Sequence, residues 1–302
     1  MKITFLSGGT GTPKLIRGFR NHLQDDEISV IVNTAEDMWI YGSHLSPDID
    51  TVMYLFAGLL NTDTWWGIKG DTTITNDFLK EIGEDTYLTM GDRDRAINIA
   101  RGRMLKSGIS LTKSTKQICR SLNISANIIP MADSEITTNI KTNSGLIHFQ
   151  EFWVKHRGKI PIKEIVRYYK TEPVATKEAV SAIKEADLVI IGPSNPVTSI
   201  SPILECKGIK EALKEKYVIA ISPFIGNEPI SGPAKELMEA WNLPPTSKGT
   251  FELYKDFIDL FIQDVRDSEI IKNAIKFDTL MINEEVSSRL AEDILKVFRE
   301  KI

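Results

Sequence analysis

Three glycines in four positions, Gly8, Gly9 and Gly11, followed by Thr12, Pro13 and Lys14, suit the chemistry of holding a phosphate. Glycine lets the chain turn tightly and bring backbone N–H groups up to an anion with no Cβ in the way. Thr10 and Thr12 add hydroxyl donors, and Lys14 adds charge. Pro13 is tolerated in a helix's first turn, so the positive end of a helix dipole is predicted to point into this loop. The spacing is not that of a Walker loop, and the last glycine of the dinucleotide fingerprint is missing. The loop therefore reads as a phosphate site without naming a nucleotide; the alternative is a Gly-rich turn that binds nothing.

A carboxylate near a phosphate loop has a use, because Mg²⁺ takes one or two carboxylates together with phosphate oxygens. Asp50, in the run Ser46 to Val52, is the candidate, although a first-turn aspartate can also simply favour the helix dipole. Asp48 suits the N-cap of the same helix. In Gly91 to Ala96, Arg93 and Arg95 have the chemistry to clamp a phosphate or carboxylate while Asp92 and Asp94 orient them; surface pairing one turn along is the plainer alternative. Trp65 and Trp66 stand beside Gly67, and their spacing favours core packing over a wall for a planar ring. His148, His156, Cys119 and Cys206 stand at no metal spacing, and the two cysteines suggest no disulfide scaffold.

These residues need elements to position them. Ile3 to Leu6, Ile28 to Val32, Leu188 to Ile191 and Val218 to Ile221 are short, mainly apolar runs, as expected of parallel strands covered on both faces. Each ends in small, polar or turn-forming residues: the glycine loop, Asn33 to Asp37, Gly192 to Ile200, and Ser222 to Asn227. Helices are predicted at Leu15 to Leu23, Asp48 to Ala57, Gly91 to Leu105, Ser114 to Leu122, Lys177 to Ala186, Ile209 to Lys214, from Gly232 onward, and at Glu284 to Lys301. Asn127 to Met131 and Leu146 to Val154 read as strands, and Phe257 to Val265 and Phe277 to Ile282 as late strands or short helices. The fold class is α/β, a Rossmann-like doubly wound, mostly parallel sheet. Residues 1–60 and 174–302 are expected to form its core, and residues 61–173, where the βα rhythm is lost, a largely helical insertion. Loops converging on one sheet edge are the strongest argument for a site.

The chain of 302 residues carries a formal charge of −4, which argues against general nucleic-acid binding, so local groups must hold any anion. No apolar run reaches the roughly 18 residues of a membrane span and no leader is read at Met1-Lys2; a cytoplasmic protein is expected.

Ser7 to Lys14, Asn33-Thr34, Ser46 to Val52, Trp65 to Gly67, Gly91 to Asp94, Phe149 to Phe152, Gly192 to Pro196 and Ser231 to Ala234 occur in one order. Together they resemble the 2-phospho-L-lactate transferase family of coenzyme F-420 biosynthesis, over nearly the whole chain. The resemblance implies a Mg²⁺-dependent transfer of the 2-phospho-L-lactyl group from lactyl-2-diphospho-5′-guanosine to the ribityl hydroxyl of the deazaflavin Fo. GMP is released and coenzyme F-420-0 forms; some relatives use an enolpyruvyl donor. It implies Asp50 as catalytic, metal-binding and acceptor-contacting. Gly8, Gly9, Thr10, Gly11, Thr12, Lys14, Ser194 and Asn195 would hold the nucleotide and diphosphate. Asn33, Asp37, Trp66, Thr89, Asp92 and Arg93 would flank the deazaflavin, with residues 61–173 covering it. At Thr89 the family usually carries a longer, often basic side chain, so reach is lost there. A homodimer is implied as well. Two other classes stay open: a regulatory nucleotide-sugar-binding protein like the bacterial gluconeogenesis and cell-shape factors, and a nicotinamide-dependent oxidoreductase. Asp48, Asp50 and the paired tryptophans favour the transferase over the first. Asn33, standing where a ribose-binding acid belongs, disfavours the second.

Overall fold

Seven short strands pair into one sheet whose neighbours all run parallel. They are β1 (Ile3–Ser7), β2 (Ile28–Val32), β3 (Asn127–Pro130), β4 (Leu188–Ile191), β5 (Val218–Ile221), β6 (Leu260–Asp264) and β7 (Ala274–Phe277). Their order across the sheet is 3-2-1-4-5-6-7. In this computed structural model residues 1–226, 228–229 and 232–301 are described; Asn227 and Ser231, which belong to two of the expected loops, lie outside them.

Strand β1 is buried throughout and sits between β2 and β4, with Phe5 opposite Val30 on one side and Ile190 on the other. Successive side chains leave a strand on opposite faces. Ile3 and Phe5 enter a core shared with Leu15, Ile16 and Phe19 of α1 (Gly11–Phe19) and with Leu290, Ala291 and Ile294 of the C-terminal helix Glu284–Arg299. Leu6 enters the other core, with Ala179 and Ile183 of α6 (Lys177–Glu185). Because the chain leaves β1 first toward β2 and later reaches β4 on the opposite side, a crevice opens between the carboxyl ends of β1 and β4, where open α/β sheets bind ligands.

Residues 61–173 depart from a helical insertion in two respects. Helices α3 (Ile74–Glu81), α4 (Asp92–Lys106) and α5 (Leu111–Ser121) come first, but the chain then returns to the main sheet as β3, its edge strand. A separate three-stranded antiparallel sheet follows, with 136–142 between 145–148 and 164–169. The core thus reclaims the chain well before residue 173, since β3 buries Ile128 and Ile129 against the same two cores. Leu146 to Val154 is not one strand either: it pairs over Gly145–His148 and then winds into a π-helix, Glu151–Lys155. Of the late segments, 257–265 contains β6, and only residue 277 of 277–282 belongs to a strand, β7.

Helix α2 (Pro47–Phe56) has every residue buried. Pro47 takes its first turn and Ser46 the capping position, so Asp48 stands inside the helix instead of capping it. Asp50 turns toward α4, where both carboxylate oxygens accept hydrogen bonds from the Arg101 guanidinium. Arg101 is 0% exposed and also donates to Asn98 Oδ1 at 2.8 Å and the His44 carbonyl at 3.1 Å. One turn along, the Tyr54 hydroxyl donates to Asp94 at 2.6 Å. A buried pair of this kind is costly to break from one side, because the remaining charge stays desolvated. Asp50→Ala is therefore expected to lower unfolding free energy by about 3–5 kcal/mol in urea titration, and pairing it with Arg101→Met to recover much of that. A single-variant loss below about 1 kcal/mol would show that the pair does not hold α4 to α2.

Candidate active site

The crevice between β1 and β4 deepens into a cavity of about 640 Å³. Two loops make its base. Ser194, after β4, is the clamp: its hydroxyl accepts from the N–H groups of Gly8 at 3.0 Å and Thr12 at 3.3 Å, and shares a hydrogen bond with the Thr12 hydroxyl at 2.7 Å. The loops touch so closely that a Cβ on Gly11 would run into the Pro193 carbonyl, and one on Gly192 into the Thr12 side chain. Gly8 and Thr12 thus hold the loops together, while Gly9, Thr10 and Gly11 line the cavity. The N-cap residue of α1, Thr10, makes no side-chain cap; the Thr12 N–H is taken by Ser194, Pro13 has none, and the Gly11 N–H and the positive dipole end face the cavity.

Directly beside this loop stands Asp48. A Cβ on Gly9 would meet its carboxylate, so the glycine makes room for the acid. Asn33, at the end of β2, donates from Nδ2 to Asp48 Oδ2 at 2.8 Å, and its own Oδ1 accepts from the Ala35 N–H at 3.0 Å. Burial pushes the Asp48 carboxyl up to about 7 against the pull of the Asn33 hydrogen bond. Glu36 shares the cavity lining and accepts from Gln150 Nε2 at 3.0 Å. Burial, and then the Asp48 charge, hold Glu36 well above the usual carboxylate range. No Lys, Arg or His lines the cavity among the described residues. Two desolvated acids therefore face the anion-seeking loop with no side-chain cation between them.

Aromatic groups fill the outer walls. Trp65 and Trp66 both line the cavity and are half-buried, so the reading of them as core holds for one side of each: Trp65 packs on the main core and Trp66 on a small cluster with Leu45, Leu88 and Met90. Thr89 lines the cavity with Tyr87 and Leu88. Phe149, Gln150 and Trp153 arrive from the end of the antiparallel sheet and its π-helix.

Several expected site residues stand elsewhere. Asp50 does not line the cavity; its carboxylate is spent on Arg101, and Asp48, two residues earlier, is the acid of α2 that reaches the ligand space. Lys14 points away, with Nζ 5.3 Å from the Trp65 ring centroid, while Arg17 lies 5.0 Å from the same ring. Burial and the Arg17 charge lower the Lys14 pKa. Asp37 accepts from the Ser46 hydroxyl at 2.7 Å, off the lining. Asp92 caps α3, accepting from the Thr72 hydroxyl at 2.6 Å and from the N–H groups of Ile74 and Thr75. Arg93 is exposed and donates to the Lys69 carbonyl at 2.8 Å. Neither lines the cavity. Asn195 lines the cavity, but its Oδ1 accepts from the N–H groups of Val197 and Thr198 at 2.9 and 3.2 Å. Sequence reasoning missed Glu36, which stands at the carboxyl edge of β2 where a ligand residue is expected. Trp153 was hidden by the expectation of a strand.

Known proteins resemble this one over nearly its whole length. The family model described as 2-phospho-L-lactate transferase CofD matches residues 3–301. A 2-phospho-L-lactate transferase of Methanospirillum hungatei is 54% identical over 293 residues, covering 97% of this chain and 99% of that protein. Those of Methanocorpusculum labreanum and Methanocaldococcus jannaschii are 53% and 43% identical, covering 99% and 97% of this chain and 100% and 97% of their own. A crystal structure of a UPF0052 family member from Bacillus halodurans superposes with a TM-score of 0.62 at 16% identity, over 97% of this chain and 98% of that one, a likeness of fold. With a family model matched from residue 3 to 301 and relatives more than half identical over nearly their full length, the chain belongs to the 2-phospho-L-lactate transferase CofD family.

Proposed function

We propose that this transferase moves the 2-phospho-L-lactyl group of lactyl-2-diphospho-5′-guanosine onto the ribityl hydroxyl of the deazaflavin Fo, in the route to coenzyme F-420, with Mg²⁺ as cofactor. The observation that carries the reading is the cavity's charge: a helix N-terminus and two carboxylates, Asp48 and Glu36, with no lining cation among the described residues. A diphosphate cannot enter such a space at reasonable cost without a cation. Asp48, held by Asn33 beside Gly9, and Glu36 would hold that ion. No cluster of three or more ligating side chains occurs among the described residues, which fits Mg²⁺, an ion that takes its remaining ligands from phosphate and water. When bound, Mg²⁺ neutralises the charge that builds on the diphosphate oxygens.

Positioning and charge neutralisation do most of the work in phosphoryl transfer. The backbone from Gly9 to Gly11 holds the donor's phosphates at the start of α1. The acceptor's hydroxyl oxygen attacks the lactyl-bearing phosphorus, the bond from that phosphorus to the GMP oxygen breaks, and a phosphodiester forms. The hydroxyl proton passes to a carboxylate of the lining. Asp50 serves indirectly, fixing α2 through Arg101 and so fixing Asp48. Trp65, Trp66 and Thr89 flank the acceptor.

Mass spectrometry after incubation with Fo, the guanosine donor and Mg²⁺ is expected to show GMP and the phospholactyl-deazaflavin, both lost on adding chelator. Binding of the donor without turnover would point instead to a regulatory nucleotide-binding protein. Asp48→Asn keeps the shape and the bond to Asn33 but removes the charge, so turnover is expected to fall by about a hundredfold or more with a melting temperature near wild type. An Asp48→Asn enzyme with an unaltered Mg²⁺ requirement would take Asp48 out of the metal site.

A further inference from the structure

The cavity lining includes an exposed tryptophan, Trp153. Among the described residues Trp39, Phe78, Trp153, Tyr168 and Tyr169 are the exposed aromatic side chains, and of these only Trp153 lines the cavity. Its indole is 39% exposed, an unfavourable state for a side chain with so much apolar surface.

The local backbone is built to keep it there. Residues 151–155 wind as a π-helix, a form that appears mostly as single turns at functional positions. Phe152 is wholly buried on one side, in a satellite core with Phe149 and Leu237, and anchors the turn. Trp153, the next residue, leaves on the cavity side. Gly158, at φ +67°, brings backbone against the benzo edge of the indole: a Cβ there would lie 3.2 Å from Cε3 and Cζ3, and 3.4 Å from Pro233 Cβ. On the far side of the turn, Lys155 pairs with Asp85 at 2.7 Å and lies 5.4 Å from the Tyr87 ring centroid. That contact fastens the π-helix to the wall that carries Tyr87, Leu88 and Thr89.

We propose that Trp153 is the surface on which the planar ring of the acceptor stacks, and that the π-helix and Gly158 are positioning elements for it. The inference rests on the reading of the acceptor as a deazaflavin and adds the residue that selects for its flat ring. The indole's large π face favours a broad fused ring over a saturated or branched acceptor alcohol, because stacking needs area and planarity.

The test is direct binding of Fo to the whole protein with Mg²⁺ and no donor, followed by protein fluorescence and calorimetry. Trp153→Ala is expected to raise the Fo Kd by about tenfold or more, and Trp153→Phe, which keeps a smaller ring, by less. Donor Kd stays unchanged in both, because the nucleotide loops lie elsewhere in the cavity, and the part of the fluorescence quenching due to Trp153 disappears. Gly158→Ala, which crowds the indole but leaves it present, is expected to raise the Fo Kd to an intermediate degree and serves if Trp153→Ala fails to fold. Wild-type affinity for Fo in Trp153→Ala, or in Gly158→Ala should that variant stand in for it, overturns the proposal. A wild-type protein that binds the guanosine donor but not Fo overturns the deazaflavin reading, and this inference with it.

Discussion

Burying two carboxylates at the base of a cleft that no cationic side chain lines among the described residues is the constraint around which the rest of the molecule is arranged. Each neighbouring element answers part of that cost. Asn33 gives Asp48 a donor, Gln150 gives Glu36 another, and the glycine loop leaves space beside Asp48 where any larger residue would collide with it. Behind them Arg101 binds Asp50, so that α2 cannot swing to relieve the crowding. What none of these groups provides is a compensating charge inside the cavity. Burial answers by raising the pKa of both acids, so that a bound proton or a bound cation would relieve them alike.

The frame was largely legible. Mainly apolar runs at 3–6, 28–32, 188–191 and 218–221, broken only by Thr4 and Ser29, meant strands covered on both faces, and they are neighbours at the centre of the sheet. Their carboxyl ends do meet, at Gly9 to Gly11 and Ser194. The part that could not be read was the middle of the chain. Asn127 to Met131 showed its strand character, but periodicity says nothing about which sheet a strand joins, and the long detour from β2 disguised its partner. The π-helix was invisible for a related reason: apolar and polar residues from 146 to 154 alternate loosely enough to satisfy a strand, and the widened turn is chosen by tertiary packing of Phe152.

Individual side chains were harder still, because motif position does not fix direction. Asp48 and Asp50 differ by two residues on one helix, a turn of about 200° around its axis, and so face opposite ways: one into the cavity, the other into Arg101. Lys14 stands at the right place in the chain for a phosphate ligand, yet Trp65 offers its cation a ring closer at hand. Asp92 and Arg93 looked like recognition groups on account of their charges, whereas Asp92 accepts from backbone donors at the start of α3 and Arg93 donates to the Lys69 carbonyl, both off the cavity lining. In each case a short-range partner that no linear pattern encodes took the group.

The path of the chain through residues 61–173 has a consequence for inheritance and folding. The strands that neighbour β1 and β2 are interleaved with the segments that wall the cavity, since β3 lies between α5 and the antiparallel sheet. The walls therefore cannot be trimmed, swapped or gained as a cassette without taking an edge strand of the Rossmann-like sheet along. Loop-borne specificity is often free to drift while its scaffold stays fixed; here an edge strand of the scaffold separates the wall residues 61–89 from 149–154, so the two walls cannot be exchanged together as one piece.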